Sequence, residues 1–162
     1  MKTIKSIYIA LFLTATALSA SAQSASVNNV VAAYLDVKSA LVNSDGSLAA
    51  SKAKTLLTQI SAVKPDVKQQ ATWSKLVGKL SADARHISEV TKVEQQRVSF
   101  AALSSNIYQL VKAVKPSTGA LYVQYCPMKK ASWLSNKKEI ENPYYGDAML
   151  TCGGVKETLA AK

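Results

Sequence analysis

The chain has 162 residues, 48% of them hydrophobic, and carries 20 Lys+Arg against 10 Asp+Glu for a formal charge of +10. That length allows one ordinary domain with a hydrophobic core that needs no staples. The lysines are scattered, with Lys129-Lys130 and Lys137-Lys138 the adjacent pairs, so a solvated face is expected rather than a nucleic-acid interface, with weak contact to an anionic membrane surface still compatible.

The first residues read as an export signal. Lys2 and Lys5 precede an apolar run from Ile7 to Leu18, and small residues follow to Ala20-Ser21-Ala22, which predicts a signal peptide over residues 1–22 cleaved before Gln23. The run is shorter than the ~18 apolar residues of a spanning helix, so no transmembrane segment is expected after cleavage. Residues 23–162 then form a single periplasmic or secreted domain, with a helical bundle over about 26–115 and a Cys/Met-containing cap over about 120–162.

From Val27 to Val42, apolar residues recur at helical spacing (Val27, Val30, Val31, Tyr34, Leu35, Leu41, Val42), with Asp36, Lys38 and Ser39 expected on the opposite side. Asn43-Ser44-Asp45-Gly46 ends this helix, and Ser47 is the expected cap of the next, whose inward residues are Ala49, Ala53, Leu56, Leu57, Ile60 and Val63. Lys64-Pro65 stops it. Asp66 with Gln69 makes a capping box for a third helix carrying Trp73, Leu76, Val77, Leu80, Ala84 and Ile87. Thr91 with Glu94 repeats the signature for a fourth, carrying Val93, Phe100, Leu103, Ile107, Leu110, Val111 and Val114 and ending before Pro116-Ser117-Thr118-Gly119. Four helices with short connections predict a mainly α fold, an up-down four-helix bundle.

After Gly119 the period changes to two. Leu121, Val123 and Tyr125 alternate with Tyr122 and Gln124, predicting a strand, and Ser132-Trp133-Leu134 is placed to pair with it as a hairpin. Asn142-Pro143-Tyr144-Tyr145-Gly146 reads as a turn, and Val155–Leu159 as a closing helical turn. This small β/irregular C-terminal cap is expected to pack on the bundle through Tyr122, Trp133 and Tyr144.

Both cysteines and two of the three methionines fall in this cap, in Cys126-Pro127-Met128 and Met149-Leu150-Thr151-Cys152. Two readings follow. In an oxidising compartment two cysteines commonly pair, and a Cys126–Cys152 disulfide would contribute roughly 3.5 kcal/mol in the chain-entropy model. Two thiolates with two thioethers are instead a soft donor set suited to Cu(I) or Ag(I). The two states exclude one another in any one molecule, so redox state would gate metal binding. His86, the single histidine, is a further candidate ligand. Arg97 interrupts the stripe of the fourth helix, and its planar guanidinium suits hydrogen bonds to cap carbonyls that would fasten the sulfur segment to the bundle. No nucleophile–histidine–acid motif, phosphate loop, His-Glu-x-x-His or Cys-x-x-Cys is present, so an enzyme is not expected.

The runs Tyr122-Val123-Gln124-Tyr125-Cys126-Pro127-Met128, Trp133-Leu134-Ser135, Asn142-Pro143-Tyr144-Tyr145-Gly146 and Met149-Leu150-Thr151-Cys152-Gly153, with upstream Gln96-Arg97, Phe100 and Leu103-Ser104, resemble the bacterial domain of unknown function 3347. Members of that family occur as small secreted proteins and fused to periplasmic adaptor subunits of heavy-metal efflux systems. The resemblance implies a link to copper or silver handling, and the family's Cys, Met, Met and Cys positions match Cys126, Met128, Met149 and Cys152. Together with the soft donor set this gives the expectation of a Cu(I)- or Ag(I)-binding accessory or carrier module with those four residues as ligands and Trp133 and Tyr144 shielding the site. The resemblance also implies an efflux adaptor or other envelope protein as partner. The alternative is a non-metal protein-interaction module whose cap is locked by the Cys126–Cys152 disulfide.

Overall fold

The computed structural model of the protein describes residues 17–115 and 119–160, with side chains from residue 27 onward. The apolar run of the expected signal peptide lies largely outside them. Four α-helices, α1 (Ala17–Val42), α2 (Gly46–Ala62), α3 (Gln70–Glu89) and α4 (Val93–Val114), precede three strands, β1 (Leu121–Cys126), β2 (Ala131–Ser135) and β3 (Gly154–Leu159). A single 3-10 turn covers Gly146–Met149. The fold is mainly α with a small antiparallel β cap. Each helix packs on its neighbours in sequence, and α1 meets α4 where Tyr34 stacks on Phe100 at 5.3 Å.

The apolar stripes form the core as spaced. Val30, Val31, Tyr34, Leu41, Leu56, Ile60, Leu80, Ile87, Phe100, Leu103, Ile107 and Leu110 are almost wholly buried. Lys38 departs from its expected outward position: it is 2% exposed, and its Nζ donates to Glu141 Oε2 at 2.7 Å. α1 is covered on that side by the cap, which leaves its polar face narrower than that of a peripheral helix.

The helix starts differ from the sequence expectation in three places. Asp45, not Ser47, caps α2, accepting a hydrogen bond from Leu48 N–H at 2.8 Å. α4 begins after Lys92 with no side-chain cap, so the Thr91/Glu94 box does not form. The buried Gln96 amide does not cap that helix but donates to the carbonyls of Gly46 at 2.8 Å and Val90 at 2.7 Å, tying the start of α2 to the turn between α3 and α4. Gly46 must be glycine for that turn to approach, because a Cβ would run into the Thr91 carbonyl. α3 begins after Gln69, which makes no side-chain cap, so Asp66 is not its N-cap: Asp66 accepts from Gln69 N–H at 2.8 Å in the turn before the helix, and no capping box forms.

The cap is a three-stranded sheet in the order β2-β1-β3, antiparallel throughout. Val155–Leu159 is therefore strand, not helical turn: Val155 pairs with Gln124 and Glu157 with Val123 across a register shift. Because adjacent residues of a strand face opposite ways, Trp133 and Leu134 point to opposite sides of β2, and both are buried. α4 packs against β2, and the segment between β2 and β3 lies against Trp133, with Tyr144 edge-on to its ring. Gln124, opposite Trp133, holds that segment by donating from Nε2 to the carbonyls of Lys137 and Glu139 at 3.0 Å. Tyr122 is only half-buried, so Trp133 and Tyr144 carry more of the packing.

Candidate functional site

Cys126 ends β1, where strand pairing fixes its backbone opposite Ala131. Cys152 lies between the 3-10 turn and β3, its N–H donating to the Met149 carbonyl at 3.1 Å. Both are free thiols, with Sγ to Sγ 3.3 Å. Cys126 is wholly buried and Cys152 half-buried.

Their environments push them apart. Burial works to raise the Cys126 thiol, but donors outweigh it: Lys129 N–H at 3.5 Å, the Cys152 thiol, the Asn142 amide and Met128 N–H together hold its pKa below the ordinary value. Cys152 moves up, first because its proton is engaged by Cys126 and then through desolvation. The arrangement is a half-exposed thiol 3.3 Å from a buried, acid-shifted sulfur.

Asn142 builds the wall of this pair. It is fully buried, and its Nδ2 donates to the Cys152 carbonyl at 2.8 Å while its Oδ1 accepts from Tyr144 N–H at 2.8 Å. Its own N–H donates to the Leu150 carbonyl at 2.8 Å. Trp133 supplies the floor, since a Cβ on Gly153 would stand 3.0 Å from the tip of its indole. Trp133 meets Tyr144 edge-on at 5.8 Å, and Tyr144 meets Phe100 at 5.9 Å. Burial pushes the Tyr144 hydroxyl far up, so it stays protonated and donates to the Ser132 carbonyl at 2.6 Å.

Arg97 reaches from α4 to the cap. Its Nε donates to the Pro143 carbonyl at 2.9 Å, and Nη2 donates to the Leu41 carbonyl and Ser44 Oγ at 3.0 Å each. It makes no ion pair with Glu94, Glu89 or Asp83.

The methionines stand at the rim. Met128 is 64% exposed and Met149 41% exposed, although the backbones of both adjoin the cysteine pair. His86 is exposed on the last turn of α3. Among the described residues no three His, Cys, Asp or Glu side chains cluster, so His86 does not join the two cysteines.

The family model described as Protein of unknown function (DUF3347) matches residues 30–119. The chain belongs to that family. The matched residues are the bundle, from within α1 to Gly119, and the motifs from Tyr122 to Gly153 lie beyond them. No curated protein and no solved structure matches the chain. Membership thus rests on the helices, and any function of the sulfur segment must be argued from its own geometry. No helix of the described residues is long and apolar enough to cross a membrane.

Asn142, Gln124 and Lys38 did not stand out as site-building residues in the sequence. Asn-Pro signals a turn, but not that the asparagine side chain is buried. Lys38 had a visible sign: Tyr34, Leu35, Leu41 and Val42 lie three or four residues from it, so the neighbouring positions on its side of α1 are apolar.

Proposed function

We propose that the protein binds a soft monovalent metal ion, Cu(I) or Ag(I), as a periplasmic accessory or carrier module. The observation that carries the reading is the pairing of two free cysteines 3.3 Å apart with two solvent-exposed methionines on the adjoining backbone. Thioethers ordinarily fill core gaps; leaving two of them at the rim beside a half-exposed thiol puts soft donors where an ion can be taken up and handed on. With metal–sulfur bonds near the ~2.3 Å of zinc thiolates, the pair must part before a two-coordinate ion fits between them. Residence on an efflux adaptor or another envelope protein follows only if such a hand-off occurs.

Cu(I) competition titration tests the reading on the mature protein, reduced and oxidised. Reduced wild type should bind, oxidised protein and the Cys126→Ser/Cys152→Ser double variant should not, and Met128→Leu or Met149→Leu should weaken binding about tenfold, about 1.4 kcal/mol. Equal affinity in wild type and the double variant sinks the proposal.

A second reading is favoured by the same 3.3 Å separation: a protein-interaction module whose cap is closed by a Cys126–Cys152 disulfide. It requires the sulfurs to approach to ~2.05 Å. Intact mass without reductant, two hydrogens lighter than the dithiol, is its signature.

A further inference from the structure

The two sulfurs are unequal in access as well as in chemistry. Cys126 ends a central strand beneath the cap and has no exposed surface, whereas Cys152 lies on a loop and is half-buried. A molecule arriving from solvent can touch one of them only. We propose that the pair is oxidised in a fixed order by external disulfides, Cys152 taking the incoming sulfur and Cys126 then displacing it, so that a Cys126–Cys152 disulfide closes over the sulfur site.

The chemistry balances with a disulfide R–S–S–R as the oxidant. Cys152 loses its proton to water and its thiolate attacks one sulfur of the oxidant, forming Cys152–S–S–R and releasing RS⁻, which takes that proton back. Cys126 then gives up its proton and attacks Cys152 Sγ, expelling the second RS⁻. Two protein thiols lose two electrons, and the oxidant leaves as two RSH.

Each partner has a separate reason for its place. Cys126 is kept out of the first step by its burial, which leaves Cys152 as the sulfur that meets the oxidant. Cys126 serves as displacing group in the second because the mixed disulfide forms within 3.3 Å of it, while its burial keeps a second external disulfide away. Asn142 holds the Cys152 backbone through its carbonyl throughout, so the pair stays in register when the outer sulfur is modified.

The inference uses the same cysteines as the metal reading but needs no metal, and its test contains none. Reduced full-length protein is mixed with glutathione disulfide, quenched with acid at successive times and peptide-mapped. The first adduct should sit on Cys152 and give way to the Cys126–Cys152 disulfide with two glutathiones released. Cys126→Ser should hold the adduct on Cys152. Cys152→Ser should react at Cys126 at least about tenfold more slowly. An early wild-type adduct on Cys126, or equal rates at the two cysteines, overturns the proposal. The wild-type time course decides the order even if a serine variant misfolds. Loss of Cu(I) binding with this order intact would remove the metal reading alone.

Discussion

At the scale of single residues, two glycines show how the same substitution changes sign with its surroundings. Gly146 has φ +55°, and a Cβ there would stand 2.5 Å from Ser44 Oγ, 2.8 Å from Arg97 Nη2 and 2.9 Å from the Val42 carbonyl. It is the point at which the cap presses on the end of α1, and Arg97 has no room to retreat without losing its bonds to Pro143 and Leu41. Gly146→Ala should cost about 2 kcal/mol or more, from backbone strain and overpacking together. Gly78 lies inside α3 with nothing within 4 Å of a Cβ, so Gly78→Ala should stabilise by about 0.5–1 kcal/mol through backbone entropy. Urea unfolding of the two variants checks both signs, and a neutral Gly146→Ala would mean that the cap does not bear on α1 there.

At the scale of elements, the joint between α1 and the segment after β2 is ionic. Glu141 accepts from Lys38 and from Lys137, each at 2.7 Å, with Lys38 almost wholly buried and Glu141 29% exposed. The Lys137 hydrogen bond, then that from Lys38, holds the Glu141 carboxyl below its ordinary pKa. A depressed carboxylate contributes stability that is present above its unfolded pKa of about 4.3 and lost as pH falls through the folded value. Glu141→Gln should therefore lower stability at pH 7, by up to about 3 kcal/mol because Lys38 keeps a buried charge without a counterion, and should flatten the acid limb of the stability profile. Denaturant midpoints between pH 7 and pH 3 measure this; parallel profiles for variant and wild type would remove Glu141 from the acid response. The element scale is also where the sequence was read best and worst. The stripes of α1 to α4 and the Leu121–Tyr125 alternation are set by local burial and could be read directly. β3 could not, because Val155-Lys156-Glu157-Thr158-Leu159 has mixed preferences and becomes a strand only by pairing with β1. The cysteine cluster was legible as a cluster, while the difference between its two sulfurs depends on Asn142, 16 residues beyond Cys126, and on N–H groups of the turn just after β1.

For the whole molecule, the question is whether cap and bundle unfold as one body. The cap is too small to bury a core of its own, and it borrows one through Tyr34, Phe100, Tyr144 and Trp133, a run of aromatic contacts from α1 through α4 to β2. Tyr34 also joins the two parts by hydrogen bonding: its hydroxyl accepts from Leu134 N–H at 3.1 Å and lies 2.8 Å from Ser104 Oγ, wholly buried. Burial pushes this hydroxyl far above its ordinary pKa, so it stays neutral across the working range. Tyr34→Phe keeps the ring and its stacking but leaves the Leu134 N–H and the Ser104 hydroxyl short of a partner, at a cost of about 1–3 kcal/mol. The chain carries its own two reporters, Trp73 in α3 and Trp133 in β2. With Trp73→Phe and Trp133→Phe isolating each signal, wild-type transitions in urea should coincide, as one cooperative unit requires. Adding Tyr34→Phe should move the Trp133 transition to lower urea by more than the Trp73 transition, because the lost bond anchors β2 and not α3. If the two transitions move together, the aromatic contacts alone suffice to couple cap and bundle; if neither moves, the Tyr34 hydroxyl is not the tie that its geometry describes.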